Sequence, residues 1–262
     1  MEQPRRYLVT NGTSLLGRHT FNRLRQQPRN YLVPRFNPKE YDLASLEQTR
    51  ILFKAVSPHT VVHIATPCAG EVGHVVAAAN YWRRCLAVTQ NVLTASAEFN
   101  VSRLLMVASV CSPPCVAAVP CTQNLFGERQ ELPPIELSDP ASLAAKAAKL
   151  KIALDFLLLP QVYGPGDSFV RNGAHFVPVI LRTFHEAAIG GQTKVTLPVR
   201  PDDTPELLHV DDAVSAIMNA LAGKLETSPL AARGGWSMRH AALAELGRAV
   251  TGYEGEVEWG KN

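Results

Sequence analysis

Tyr7-Leu8-Val9-Thr10-Asn11-Gly12-Thr13-Ser14-Leu15-Leu16-Gly17 is the stretch that decides how this chain is read. Four residues suited to a buried strand run into a turn, and from Leu15 to about Gln26 apolar residues recur at helical spacing. Strand, glycine turn and helix in that order can cradle a phosphate. Glycine permits positive φ and close backbone approach, and the helix start presents oriented N–H groups to an anion. Gly12 and Gly17 remain of a three-glycine dinucleotide fingerprint. Asn11 is a tolerable stand-in where φ is positive. Ser14 puts a side chain where a pyrophosphate should approach, and Leu16 completes the candidate set. An ordinary tight turn could carry the same glycines, so the strand–turn–helix setting is what favours a dinucleotide.

Outward from that turn the pattern repeats. A strand is predicted around Tyr31-Leu32-Val33, then a polar loop with Pro34, Asn37 and Pro38, and a helix over Leu46 to Ala55. Thr60 to Ala65 and Arg103 to Ala108 read as buried strands, separated by a long amphipathic helix from about Trp82 to Phe99. Strands apolar on both faces, alternating with helices, predict an α/β fold, a doubly wound parallel sheet of Rossmann type. After Cys111 the pattern loosens around Pro113, Pro114 and Pro120. Ala141 to Leu158 favours a helix, but Phe156 to Leu159 must become a strand before Pro160. Pro198 to Pro205 is a loop, and Trp236 to Trp259 reads as a helix and a short strand. A single domain over residues 1–262 is expected, with a small substrate lobe from about 165–205 and 225–262. In the loop after the second strand, Asp42-Leu43 would meet an adenine. Arg35 and Lys39 would take a 2′-phosphate, which favours NADP; a solvated loop accounts for the same residues.

Composition narrows the classes. The chain has 262 residues, 46% hydrophobic and 19% charged, which suits a packed core and no disordered class. A formal charge of +3 with both signs interspersed gives no footprint for nucleic acid or a membrane surface. No apolar run has the length of a membrane span, and Met1 to Arg6 has no signal-peptide character. Five cysteines, at 68, 85, 111, 115 and 121, are odd in number and irregularly spaced, which argues for free thiols in a reducing compartment. No metal site is expected.

Several segments, in order from about Arg6 to Val257, resemble the GDP-L-fucose synthase family of extended short-chain dehydrogenase/reductases. They are Tyr41-Asp42-Leu43 with Gln48 to Phe53; Val61-Val62-His63-Ile64-Ala65 leading to Gly70; Tyr81-Trp82-Arg83-Arg84 with Asn91-Val92-Leu93; Tyr163-Gly164-Pro165-Gly166-Asp167-Ser168-Phe169 followed by His175-Phe176-Val177-Pro178; and Leu208-His209-Val210-Asp211-Asp212. The resemblance implies NADPH-dependent epimerisation and reduction of GDP-4-keto-6-deoxymannose. It places the family's catalytic serine on Ser109, its acid/base cysteine and histidine on Cys111 and His175, and its active-site lysine on Lys146. Read without the resemblance, Ser109 and Cys111 also suit a buried strand end, and Lys146 a solvated helix face.

Departures from the family pattern cluster on its chemistry. The Tyr-x3-Lys pair becomes Ser142-Leu143-Ala144-Ala145-Lys146, and a serine hydroxyl is a far weaker acid with a shorter reach. Cys85 stands for an asparagine, Thr204-Pro205 stands where an arginine is expected, and the chain ends at Asn262 before the family's C-terminal substrate portion. The resemblance with these departures implies a non-catalytic subunit, holding NADP(H) weakly or not at all, or purely structural, within a larger protein assembly. The alternative is an active epimerase/reductase, or an epimerase alone. Partners implied are other protein chains in a hetero-complex, or a second copy through the 81–99 helix by way of Tyr81, Trp82, Leu86, Val92 and Leu93; a nucleotide sugar is implied only for an active enzyme. An intracellular, cytoplasmic location is implied, with a mitochondrial one left open.

Overall fold

A computed structural model describes residues 5–27, 30–32, 40–65, 75–109, 140–169, 176–197, 199–223, 230–232 and 236–260. Its elements are β1 (Arg5–Val9), α1 (Leu15–Arg25), β2 (Asn30–Leu32), α2 (Leu46–Val56), β3 (Thr60–Ala65), α3 (Val75–Glu98), β4 (Arg103–Ser109), α4 (Pro140–Lys149) and β5 (Ala153–Leu159). Then follow β6 (Gln161–Tyr163), α5 (Phe176–Ile189), β7 (Lys194–Leu197), β8 (Glu206–His209), α6 (Val210–Ala222), β9 (Leu230–Ala231), β10 (Trp236–Ser237), α7 (His240–Thr251) and β11 (Glu256–Trp259).

The main sheet is a Rossmann-like parallel one, in the order β2-β1-β3-β4-β5-β9. From β1 the chain goes outward to β2 and returns to β3 on the other side, so the strand order reverses beside β1. In open α/β sheets ligands bind in the crevice beyond the carboxyl ends of the strands at such a reversal. Alternate strand residues serve opposite faces. Tyr7, Val9, Val62, Ile64, Leu105 and Val107 join α1 and α6 in one buried cluster. Leu8, Val61, Leu104, Met106 and Phe156 join α2, α3 and α4 in another.

Two smaller sheets complete the described residues: β10-β8-β6, and β11 paired in parallel with β7. A third core lies between α5, α7 and the latter pair, where Phe184 stacks on Tyr253 with ring centroids 5.3 Å apart. Gly247 lets α7 approach α5 closely, since a Cβ there would lie 2.7 Å from Ile180 Cγ2.

Two boundaries differ from the sequence pattern. α3 starts at Val75 rather than near Trp82, because its Val-Val-Ala-Ala-Ala opening is helix-compatible without an amphipathic period. α4 stops at Lys149 instead of running on. Lys151 takes the left-handed conformation at φ 58°, and β5 begins at Ala153.

One arginine closes the amino edge of the sheet. Arg103 donates Nε and Nη2 to Asp155 Oδ2 at 2.8 and 2.6 Å. It also reaches the last carbonyls of α6: Ala220 at 2.7 Å, Leu221 at 3.1 Å and, beyond them, Gly223 at 2.6 Å. A cation at the negative end of a helix is stabilising, and these carbonyls have no partner within the helix. Both side chains are mostly buried, 18% and 16% exposed, so the pair is screened less than a surface bridge. Arg103→Met should cost about 2–3 kcal/mol of stability, because it strands Asp155 and the helix end. Urea denaturation measures it, and a change below about 0.5 kcal/mol, the surface range, would contradict the role assigned to Arg103.

Candidate functional site

The turn at the carboxyl end of β1 is built by its own backbone. Thr10 N–H donates to Val62 O at 3.0 Å, continuing the β1–β3 ladder. Asn11 takes the left-handed conformation at φ 53°. Its carbonyl accepts both the Ser14 N–H at 3.0 Å and the Ser14 hydroxyl at 2.8 Å. Ser14 caps α1, its Oγ accepting the Gly17 N–H at 3.0 Å. The hydroxyl that the sequence suggests would obstruct a pyrophosphate is thus turned back onto the chain, although its Cβ stays at the mouth of the turn. A Cβ on residue 17 would overlap the Asn11 carbonyl oxygen and lie 2.9 Å from Gly12 Cα, so only glycine fits there. Gly12 is under no such constraint: a Cβ would meet Val9 O at 3.6 Å. The Leu16 side chain is buried in the core.

Beneath the turn lies a polar chain that the apolar reading of β3 conceals. Thr10 Oγ1 accepts the Ile64 N–H at 3.1 Å and lies 2.8 Å from His63 Nδ1. His63 Nε2 lies 3.1 Å from Thr89 Oγ1 on α3. The arrangement is satisfied with Thr10 donating to Nδ1 and Nε2–H donating to Thr89. Burial pushes the His63 imidazole down to about 4, so the ring is neutral at ordinary pH.

The second candidate segment is pinned by α2 and α3. Asp42 Oδ1 accepts the Ala44 N–H at 2.9 Å and Arg84 Nη2 at 2.7 Å. The Ala44 N–H foremost, and then Arg84 working against a desolvation cost, hold its carboxyl below the usual value. The Leu43 carbonyl accepts Asn91 Nδ2 at 2.9 Å and Thr49 Oγ1 at 3.2 Å. Arg84 and Asn91 stand in segments the sequence singles out, but their partnership with Asp42 and Leu43 is visible only in three dimensions.

A third piece meets the first turns of α1. Tyr163 on β6 lies in register with His209 on β8, their rings edge-on with centroids 5.5 Å apart. The loop beyond it folds onto α1: Arg18 Nη2 donates to Gly166 O, and His19 Nε2 to Pro165 O at 3.0 Å. Gly166 has φ +84°, and a Cβ there would sit 3.3 Å from Arg18 Nη2. Asp211, in the first turn of α6, lies 3.7 Å from His19 Nδ1 and 3.6 Å from His209 Nδ1.

Of the residues expected to do chemistry, Ser109 ends β4 opposite Leu159 of β5, at the same carboxyl edge as the turn. Ser142 and Lys146 lie one helical turn apart on α4. Leu143 and Ala147 anchor that helix in the core, and Lys146 is half-buried. Cys111, His175, Arg35 and Lys39 lie outside the described residues. Among the described residues no cluster of His, Cys, Asp or Glu could hold a metal ion, and no helix is long and apolar enough to cross a membrane.

The profile of the NAD dependent epimerase/dehydratase family matches residues 7–228. GDP-L-fucose synthase 1 of Arabidopsis thaliana is 26% identical over 257 residues, covering 96% of this chain and 79% of its own length. The GDP-L-fucose synthase of Sinorhizobium fredii is 25% identical over 231 residues, 84% of this chain and 72% of its own. Among solved structures, GDP-mannoheptose C4 reductase from Campylobacter jejuni with NADP bound superposes with a TM-score of 0.73 at 18% identity, covering 100% of this chain and 88% of that one. A GDP-L-fucose synthetase from Naegleria fowleri bound to NADP gives 0.67 at 17% identity, covering 99% and 82%.

Two outcomes are expected of the turn and its support. Since the folded-state value of His63 lies below the unfolded 6.5, the unfolded chain takes up the proton first. The neutral ring's contribution is complete above about pH 6.5, falls as pH drops, and is gone below about pH 4, a loss of about 3 kcal/mol. Chemical denaturation across that range should show the slope, and His63→Gln should flatten it; an unchanged slope would refute the assignment. Ser14→Gly, which removes the Cβ at the mouth and costs the cap only about a few tenths of a kcal/mol, should tighten NADPH binding about tenfold. Fluorescence titration showing no gain would count against this turn as the dinucleotide seat.

Proposed function

The chain belongs to the NAD dependent epimerase/dehydratase family, and from that premise we propose that it is a GDP-L-fucose-synthase-like member that can hold NADP(H) but does not carry out the reductive step. A cofactor seat is supported by the left-handed Asn11, the residue-17 position that admits only glycine, and the helix start that faces the mouth. When bound, NADPH supplies a hydride for a carbonyl carbon. The chain must then deliver a proton to the oxygen.

The observation that carries the reading is Ser142, one turn before Lys146 on α4. In the family pattern a tyrosine holds that place as general acid, and the lysine ammonium depresses its pKa. A serine hydroxyl is too weak an acid for a neighbouring ammonium to bring near neutrality, and loss of a general acid costs about 10²- to 10⁴-fold. Thr204-Pro205, where an arginine is expected just before β8, removes a second charged group. What persists is scaffold, and assembly with other protein chains, including through α3, is the use such a scaffold retains. That last step is an analogy from fold to role.

With GDP-4-keto-6-deoxymannose the wild type should show no NADPH oxidation above background, and Ser142→Tyr should not restore it while Thr204-Pro205 remains. NADPH absorbance is followed beside solvent-deuterium incorporation into the sugar. Robust NADPH consumption by the wild type would falsify the reading. Deuterium exchange without NADPH loss would identify an epimerase working through Cys111 and His175 instead.

A further inference from the structure

Arg18 is out of place by the usual rules of helix electrostatics. It sits in the opening turns of α1, which has no acidic residue in its first turn. A cation near a helix N-terminus opposes the macrodipole. Among the described residues no carboxylate pairs with it; its partner is a neutral carbonyl, Gly166 O. Its Nε is buried with no hydrogen-bond acceptor among the described residues, and a buried, unsatisfied donor on a charged group is costly. The guanidinium is therefore parked, with one neutral bond and one stranded N–H.

Its direction is informative. Side chains on a helix lean toward the N-terminus and cover the turn before their own Cα. Residue 18 therefore overlies residue 14 on the same face, and Ser14 stands at the mouth of the turn. Gly166, which receives the guanidinium, belongs to the loop that follows β6, so the contact joins that loop to the start of α1. His19 beside it donates to Pro165 O at 3.0 Å, so two neighbouring side chains of this helix start reach the same loop.

Resting on the reading that the turn seats a dinucleotide, we propose that Arg18 is the residue that binds the ligand's diphosphate. The guanidinium leaves Gly166 O, or shares it, and gives charge-assisted hydrogen bonds to a phosphate oxygen. It supplies from the side chain what Ser14 denies to close backbone approach. The exchange replaces a bond to a neutral acceptor by bonds to an anion, which are roughly twice as strong. It also cancels the clash between Arg18 and the helix dipole, and leaves the Gly164–Asp167 loop tied to α1 through His19 and Pro165 O.

The test uses the full chain, with NADPH and inorganic pyrophosphate as separate probes. Arg18→Gln keeps a donor for Gly166 O but removes the charge; Arg18→Lys keeps the charge but not the fork. Circular dichroism and thermal melting confirm that each variant is folded. Arg18→Gln should weaken NADPH by about ten- to a hundredfold, with Arg18→Lys between it and the wild type. The salt dependence of NADPH binding should be shallower in Arg18→Gln, because one screened charge is gone. Inorganic pyrophosphate alone should raise the melting temperature of the wild type and not of Arg18→Gln, a readout that a purely structural contact would not move. Equal NADPH affinity in wild type and Arg18→Gln, or pyrophosphate stabilisation that survives the substitution, would overturn the assignment. A wild type that responds to pyrophosphate through Arg18 but does not bind NADPH would overturn the dinucleotide reading and leave the anion site standing.

Discussion

The backbone at residue 17 passes so close to the Asn11 carbonyl that no side chain fits between them, and much else in the molecule takes its position from that approach. It fixes where α1 begins and how sharply it leaves the sheet. Leu15, Leu16 and Leu24 are thereby brought into the cluster shared with α6, while Arg18 and His19 reach the loop beyond β6. From below, Thr10, His63 and Thr89 tie the same turn to α3. The turn is thus held by helix packing on one face of the sheet and by a neutral hydrogen-bonded chain on the other.

The two edges of the sheet solve opposite problems. At the amino edge the charges are matched: Arg103 meets a carboxylate and a helix end that needs a cation. At the carboxyl edge the matching is partial: Asp42 meets Arg84, whereas among the described residues no carboxylate pairs with Arg18, and Asp211 is 75% exposed between two histidines. A chain tolerates such mismatch where function requires it and compensates elsewhere. The contrast agrees with the ligand site proposed at the carboxyl edge.

The sequence reveals the centre of this sheet readily because its strands advertise themselves on both faces, Leu8 against Tyr7 and Val9, or Leu104 and Met106 against Leu105 and Val107, whereas the two-residue edge strand β9 carries too short a pattern to be read. It hides what lies inside those runs. His63 is one polar residue in an apolar strand, and no spacing rule signals that Thr10 and Thr89 flank it. Helix ends are hidden where a residue other than glycine turns left-handed, as Ser57, Asn100 and Lys151 do; Lys151 is why a helix-friendly stretch breaks before β5 with no punctuation. In the site, the glycine turn and the Ser142–Lys146 spacing are local and legible. The hold of Arg84 on Asp42 and of Arg18 on Gly166 is not, since each joins segments far apart in the chain.

Arg103 also bears on how the molecule comes apart in time. The carbonyls it holds lie 117 to 120 residues further along the chain, so none of these bonds can form until β4, β5 and α6 are already together. Contacts that close last contribute little to a folding transition state and are among the first that unfolding must break. Their stabilisation therefore appears as a slower unfolding rate rather than a faster folding one. The arginine is expected to act as a bolt thrown after the door is shut, one that lengthens the life of the native sheet once formed.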